Sequence, residues 1–247
     1  MKKINLQGKV ALVTGANKGI GRAIVIELIN QGAAKVYAGS RNINNLDSLI
    51  SEFGDKVVPL ELDVTNDTQI KKVVELATDI NILVNNAGAL HFGNFTDGGI
   101  LEAIKENFEV NVYGTLKVTQ AFLPTLKSKE QAAILNVSSI GGLANMPMGH
   151  GYSVSKAAVH SITQGLRGEL KDTNVFVAGI YPGPIDTEMG NRGPRIDKDT
   201  PENVAISVVN GLQEGTEDIY PDMMAMQIGE AYASSPKSVE QMFARFS

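Results

Sequence analysis

The chain has 247 residues, 43% of them hydrophobic and 20% charged, with a formal net charge of −5 and no cysteine. The missing cysteine excludes disulfides, thiolate zinc sites, iron–sulfur clusters and cysteine nucleophiles, and the acidic balance argues against a nucleic-acid partner, whose binding rests on neutralising phosphates. No stretch approaches the roughly 20 apolar residues of a membrane helix, and no signal-peptide core follows Lys2 and Lys3, so a cytoplasmic protein with no membrane partner is expected.

Strand-like and helix-like segments alternate from the start. Residues 10–14 form a short β-branched run, followed by a glycine cluster and a helical pattern over 23–29 that ends before Gly32. A strand over 35–38 precedes a helix over 43–53, with Gly54 after it, and a third strand over 57–62. Thr65, Asn66 and Asp67 supply caps for a helix through Ala77, and residues 81–84 read as the fourth strand. A long helical pattern over 101–127, with a break near Tyr113 and Gly114, leads to a strand over 133–137. A helix over 152–170, a strand over 175–181, a helix over 201–213 behind Thr200 and Pro201, and a short strand over 218–220 complete the pattern. Such alternation with short loops predicts an α/β fold: parallel β-α-β units in one open sheet covered on both faces. With no linker or repeat, residues 1–247 are expected to form a single domain, and about 183–200, rich in Gly, Pro and charge, a functional loop.

The glycine cluster reads Thr14-Gly15-Ala16-Asn17-Lys18-Gly19-Ile20-Gly21 between a strand and a helix. Glycines there permit a tight turn and let a pyrophosphate approach backbone at the helix N-terminus; an ordinary strand-to-helix turn uses glycine as well. The spacing is G-x-x-x-G-x-G rather than G-x-G-x-x-G. NAD-selective sites usually place an acid about 20 residues on, at the ribose 2′-hydroxyl. Here the second strand ends Tyr37-Ala38-Gly39-Ser40-Arg41-Asn42. Arg41 can pair a 2′-phosphate and Lys18 can add a second charge, so NADP(H) is favoured over NAD(H), although both are also ordinary surface cations.

Tyr152 and Lys156 stand four apart, which on a helix places them on one face. A nearby cation favours the phenolate, and such a tyrosine can exchange a proton with a carbonyl or alcohol oxygen. The same spacing also arises from plain packing with a solvated ammonium. Ser138 and Ser139 follow the 133–137 strand at its carboxyl end, where open α/β sheets place ligands. Asn111, Asn85 and Asn86 can position a water or tie loops together. No G-x-S-x-G elbow exists, and His91, His150 and His160 lack metal-ligand spacing, so hydrolase and metal readings fall away.

Together TGANKGIG at 14–21, NNAG at 85–88 and YSVSK at 152–156 resemble the short-chain dehydrogenase/reductase family, as do LDVT at 62–65, NVYG at 111–114 and Tyr181-Pro182-Gly183. Ser139, thirteen residues before Tyr152, has the family's catalytic spacing and is preferred to Ser138. The resemblance implies a single Rossmann domain with a seven-stranded parallel sheet in the order 3-2-1-4-5-6-7. It assigns Tyr152 as acid/base, Ser139 to the substrate oxygen, Lys156 to lowering the tyrosine pKa and holding the ribose, and Asn111 to a relay water. Gly15, Asn17, Lys18, Gly19, Ile20, Gly21, Ser40 and Arg41 would hold the pyrophosphate and 2′-phosphate end. Asp63 and Val64 would meet adenine, Asn86, Ala87 and Gly88 would floor the site, and Pro182, Gly183, Ile185 and Thr187 would contact the nicotinamide end. Leu143, Met146, Met148 and Met189 suggest an apolar substrate wall, and Met223, Met224 and Met226 a core or subunit contact. A hydride-transferring carbonyl reductase or alcohol dehydrogenase acting on a small molecule is expected. A non-catalytic NADP-binding regulator and a carrier-linked 3-oxoacyl reductase are the alternatives. The resemblance also implies a homotetramer or homodimer pairing helices 101–127 and 152–170.

Overall fold

Apolar runs such as VALVT, AAILNV and VFVAGI carry side chains that must be covered on both faces of a sheet. The computed structural model describes residues 2–246 other than Asp97, Met148, Pro194 and Arg195. It places these runs in a parallel seven-stranded sheet of β1 (Val10–Thr14), β2 (Lys35–Ser40), β3 (Val57–Glu61), β4 (Ile82–Asn85), β5 (Ala132–Val137), β6 (Val175–Ile180) and β7 (Asp218–Ile219). The spatial order is β3-β2-β1-β4-β5-β6-β7, with Leu12 of β1 facing Tyr37 on one side and Leu83 on the other. The order reverses between β1 and β4, which opens a crevice at the strands' carboxyl ends.

The helices are α1 (Gly19–Asn30), α2 (Asp47–Phe53), α3 (Asp67–Leu76), α4 (Ile100–Phe108), α5 (Thr115–Lys127), α6 (His150–Glu169), α7 (Pro201–Glu214), α8 (Met223–Ser234) and α9 (Pro236–Phe243). Strand side chains alternate between faces. Val13, Val84 and Leu135 therefore meet Ile24, Leu28, Val204 and Val208 of α1 and α7 on one side. On the other, Leu12, Leu83 and Ile134 meet Val73, Phe122 and Leu126 of α3 and α5. Asn66 caps α3 by accepting from the Thr68 and Gln69 amides, and Thr200 caps α7 from just before Pro201.

Three local features differ from the sequence expectation. The helix expected over 43–53 is a 3-10 turn, Ile43–Leu46, followed by α2. The break expected at Tyr113 and Gly114 is a π-helical turn, Glu109–Gly114, that carries α4 into α5 without interruption. Gly114 has a helical φ of −58°. It is glycine because a Cβ there would stand 2.5 Å from Val64 Cγ2, so it marks a close approach rather than a stop. The sequence pattern also stops at β7, whereas α8 and α9 continue and fold back over Ile140, which they bury with Ala225, Ile228, Val239 and Phe243. Met224 packs against that cluster, while Met223 and Met226 face solvent. This fold-back brings the start of α8 against the segment that follows β6.

Candidate active site

The glycine turn leaves β1 and enters α1 under tight steric limits. Gly15 has φ +65°, and a Cβ there would meet Ala87 Cα at 3.0 Å. At Gly21 a Cβ would stand 2.3 Å from Asn86 Nδ2 and 2.4 Å from the Gly15 oxygen. Asn86 fastens the turn to β4, donating from Nδ2 to the Thr14 and Gly15 carbonyls at 2.9 and 3.1 Å. Thr14 Oγ1, whose role the sequence does not announce, accepts from the Asn86 and Ala87 amides at 3.0 and 2.9 Å.

No side chain caps α1, so its first-turn N–H groups are open to a ligand. This is the donor arrangement that a pyrophosphate needs. The residues therefore fit a dinucleotide, with a backbone cradle that side chains would fill and an uncapped helix dipole. Ser40 is buried at the end of β2, and Arg41 beside it is exposed, with no ion-pair partner among the described residues. Lys18, by contrast, pairs with Glu188 of the 183–200 loop. Asp63 Oδ1 accepts from the Thr65 amide and hydroxyl, which shapes the turn holding Val64 against Gly114. Asn17 and Ile20 are half-buried on the turn itself.

Tyr152 and Lys156 share one face of α6, with the Lys156 ammonium 5.6 Å from the Tyr152 ring centroid. Lys156 is buried and donates to the Val137 carbonyl at 2.8 Å. Burial brings its pKa down to about 8. Burial also pushes the Tyr152 phenol up to about 12, and a hydrogen bond with the Ser139 hydroxyl pulls against that rise. Lys156, which the family pattern implies should lower the phenol, is not among the groups that shift it in the chain alone; desolvation and the Ser139 hydrogen bond are. A phenol held protonated is a proton donor at neutral pH.

The two adjacent serines divide. Ser138 Oγ donates to the Lys156 carbonyl at 2.9 Å and is committed to α6 backbone. Ser139 Oγ accepts from the Gly141 amide at 3.1 Å, donates to the Pro182 carbonyl at 3.4 Å and faces Tyr152. Asn111, buried in the π turn, accepts from the Ala89 amide at 2.7 Å and donates to the Ala89 carbonyl and Ser155 Oγ. Its Oδ1 and Lys156 Nζ both border the space beside Gly88, at 3.3 and 3.7 Å from where a Cβ would stand. Asn107, one turn earlier, clamps His91 in the same way, accepting from its amide at 3.1 Å and donating to its carbonyl at 3.0 Å. Sequence reading missed Asn107. Its signal was the four-residue spacing to Asn111.

The loop after β6 is held at its base, where the Asp186 amide donates to the Asp199 carbonyl and the Asp199 amide to that of Pro184. Ile185 is buried, and Thr187 reaches to 3.1 Å from where a Gly19 Cβ would be, so the loop closes over the glycine turn. Farther along, Arg192 lies 5.6 Å over the Phe92 ring. Phe95 meets His150 at 4.8 Å, and His150 Nδ1 is 2.6 Å from Asn145 Oδ1. Of the residues expected as an apolar substrate wall, Leu143 and Met146 are half-buried and pack against the Ile140 cluster under α8 and α9, Met189 is half-buried, and Met148 lies outside the described residues.

Comparison with known proteins bears on the family and the fold. The short chain dehydrogenase family matches residues 9–195. An uncharacterized oxidoreductase of Staphylococcus saprophyticus is 38% identical over 222 residues, covering 85% of this chain and 94% of the relative. A short chain dehydrogenase from Burkholderia cenocepacia, solved in complex with NADP, superposes with a TM-score of 0.89 at 37% identity over 97% of this chain and 99% of that one. A 3-ketoacyl-(acyl-carrier-protein) reductase from Brucella melitensis, complexed with NADH, gives a TM-score of 0.79 at 27% identity over 85% and 94% of the two chains.

Proposed function

The chain belongs to the short-chain dehydrogenase/reductase family, and on that premise we propose that it is an NADP(H)-dependent oxidoreductase interconverting a carbonyl and a secondary alcohol. The observation that carries this reading is the convergence of Ser139, Tyr152 and Lys156 beside an uncapped glycine turn at the carboxyl end of the sheet. When bound, the cofactor supplies or accepts the hydride. Gly15, Asn17, Lys18, Gly19, Ile20 and Gly21 hold its pyrophosphate side, and Ser40 and Arg41 its 2′-phosphate. Lys18, paired with Glu188 in the chain alone, would be released toward that phosphate. Asp63 and Val64 border the adenine, Asn86, Ala87 and Gly88 the floor, and Pro182, Gly183, Ile185 and Thr187 the nicotinamide end.

In reduction, the Ser139 hydroxyl turns its single proton from the Pro182 carbonyl to the substrate's carbonyl oxygen, which lies between Ser139 and Tyr152. Tyr152, kept protonated by its burial, hands its proton to that oxygen as the alcohol forms. The Lys156 ammonium faces the phenolate left behind and stabilises it until water returns the proton, with Asn111 positioning that water. In oxidation the phenolate takes the alcohol proton. Because the Ser139 oxygen and the Asn111 amide are fixed by backbone contacts, the chain's contribution is orientation and proton transfer. The Arg41 and Lys18 cations favour NADP(H), and a relative bound to NADP supports the choice. One cofactor-binding domain spanning 1–247, a cytoplasmic setting and a homodimer or homotetramer using α4–α6 belong to the same reading. Exposed Leu101 and Tyr113 on that surface support the last.

A panel of ketones, aldehydes, secondary alcohols and a 3-oxoacyl thioester, followed at the NADPH absorbance with both cofactors, tests the proposal. Carbonyl-dependent NADPH consumption that is faster than with NADH is expected. Binding of NADPH without turnover of any substrate would contradict the enzymatic reading and favour a regulator. Strong preference for the thioester would point to carrier-linked chemistry.

A further inference from the structure

Asp222 stands just before α8 with 4% of its surface exposed. A helix N-cap needs one acceptor oxygen, and Asp222 Oδ1 fills that need by accepting from the Ala225 amide at 2.9 Å. Serine or asparagine would do the same without burying a charge, which is costly unless it is fully hydrogen-bonded. The second oxygen has a different target. Oδ2 accepts from the Gly183 amide at 2.7 Å, across 39 residues of sequence. Gly183 accommodates this contact because it has no side chain, since a Cβ there would stand 2.6 Å from Asp222 Oδ1. No cation pairs with the carboxylate among the described residues, so backbone N–H groups alone hold it against the desolvation that pushes its carboxyl up.

The amide that Asp222 grips is one half of the Pro182–Gly183 peptide. The other half, the Pro182 carbonyl, accepts from the Ile140 amide at 3.1 Å and from Ser139 Oγ at 3.4 Å. One planar peptide is therefore fixed from both edges, by α8 on one side and by the segment carrying Ser139 on the other. We propose that Asp222 is a positioning residue of the active site, setting the Ser139 hydroxyl through the Pro182–Gly183 peptide. This rests on the oxidoreductase reading above. Without the carboxylate the Gly183 edge of the peptide loses its anchor, so the Pro182 carbonyl is held less firmly against the Ile140 amide, which fixes the backbone next to Ser139 while the Gly141 amide holds the Ser139 oxygen. Asp222 touches neither the substrate oxygen nor Tyr152. It acts only through that peptide, which couples the C-terminal helices to the reacting centre.

Asp222→Asn separates the two jobs. Asparagine is as good an N-cap as aspartate, but its amide nitrogen cannot accept from Gly183 when its oxygen is used on Ala225. In cofactor-free protein labelled with 15N-glycine, the Gly183 amide resonance is expected to move upfield and its hydrogen exchange to quicken, while the melting temperature stays within a few degrees. Asp222→Ser, which also caps, is expected to give the same amide change. In turnover, kcat is expected to fall about tenfold with KM changed less than about threefold, the size of a small misplacement at a reacting centre. Combined with Ser139→Ala, the Asp222→Asn loss should shrink to less than about twofold, because both changes act on one hydroxyl. Fully additive losses, or a Gly183 amide unmoved in both variants, would overturn the proposal. Absence of wild-type turnover would instead contradict the oxidoreductase reading, and the Gly183 amide would still report on the clamp.

Discussion

Tyr152 and Lys156 are shifted by the same burial in opposite senses, and this sets how activity should depend on pH. The phenol stays protonated until about pH 12, and the ammonium, brought down to about 8, loses its charge far earlier. A lysine is cationic below its pKa, so its charge is present at neutral pH and is removed as pH rises through 8. For carbonyl reduction, kcat/KM is therefore expected to be flat near neutrality and to fall with an apparent pKa near 8, since this ratio reports the free enzyme. A rise across that range would show that Lys156 acts in its neutral form. At Asn107 the prediction concerns packing. Its side chain satisfies the His91 amide and carbonyl and donates to the Ala103 carbonyl at 2.7 Å. Asn107→Ala leaves the half-buried His91 amide and carbonyl without that partner and should cost about 1 kcal/mol in chemical denaturation. It should also raise KM for the carbonyl more than it weakens NADPH, because we propose that the clamped segment walls the substrate space.

At the scale of elements, the glycine turn is the least tolerant. A methyl at Gly21 meets the Gly15 backbone oxygen at 2.4 Å, and a backbone atom cannot swing away as a side chain can. Gly21→Ala should open the turn, weaken NADPH at least about tenfold and destabilise the chain by about 1–3 kcal/mol, the usual range for overpacking. Retained affinity in a calorimetric titration would mean that the turn relaxes freely. This element was legible in the sequence, as were the strands, because apolar runs and glycines at strand ends are local signals. Other features are set by contacts that sequence distance hides. Gly114 reads as a helix breaker, yet Val64 explains it, and the π turn around Asn111 has no pattern of its own. Asp222 before an apolar run announces a cap, but nothing local says that its other oxygen reaches Gly183. The proposed catalytic residues stand out in the sequence only as a combination. The difference between Ser138 and Ser139 as hydrogen-bond partners appears once α6 lies against β5.

Across the whole molecule, the sheet brings together groups that are far apart in sequence: the glycine turn from β1, Arg41 from β2, Asn86 from β4, Ser139 from β5 and Pro182 from β6. A ligand contacting all of them binds only the folded state and must stabilise it. NADPH at a hundred times its Kd should add about 2.7 kcal/mol, a rise of roughly 5–10 °C in melting temperature for a chain of this length. Arg41→Ala should remove much of the NADPH shift and little of the NADH shift, and equal losses would contradict the 2′-phosphate role. On the proposed function, Tyr152 in this assembled crevice transfers the proton that accompanies hydride transfer. The most direct test compares wild type with Tyr152→Phe in NADPH-dependent reduction of the best carbonyl substrate, with NADPH affinity measured on both. Turnover is expected to fall by at least about a hundredfold while Kd changes less than about threefold, as for loss of a general acid; turnover by Tyr152→Phe at the wild-type rate would rule out Tyr152 as the proton donor.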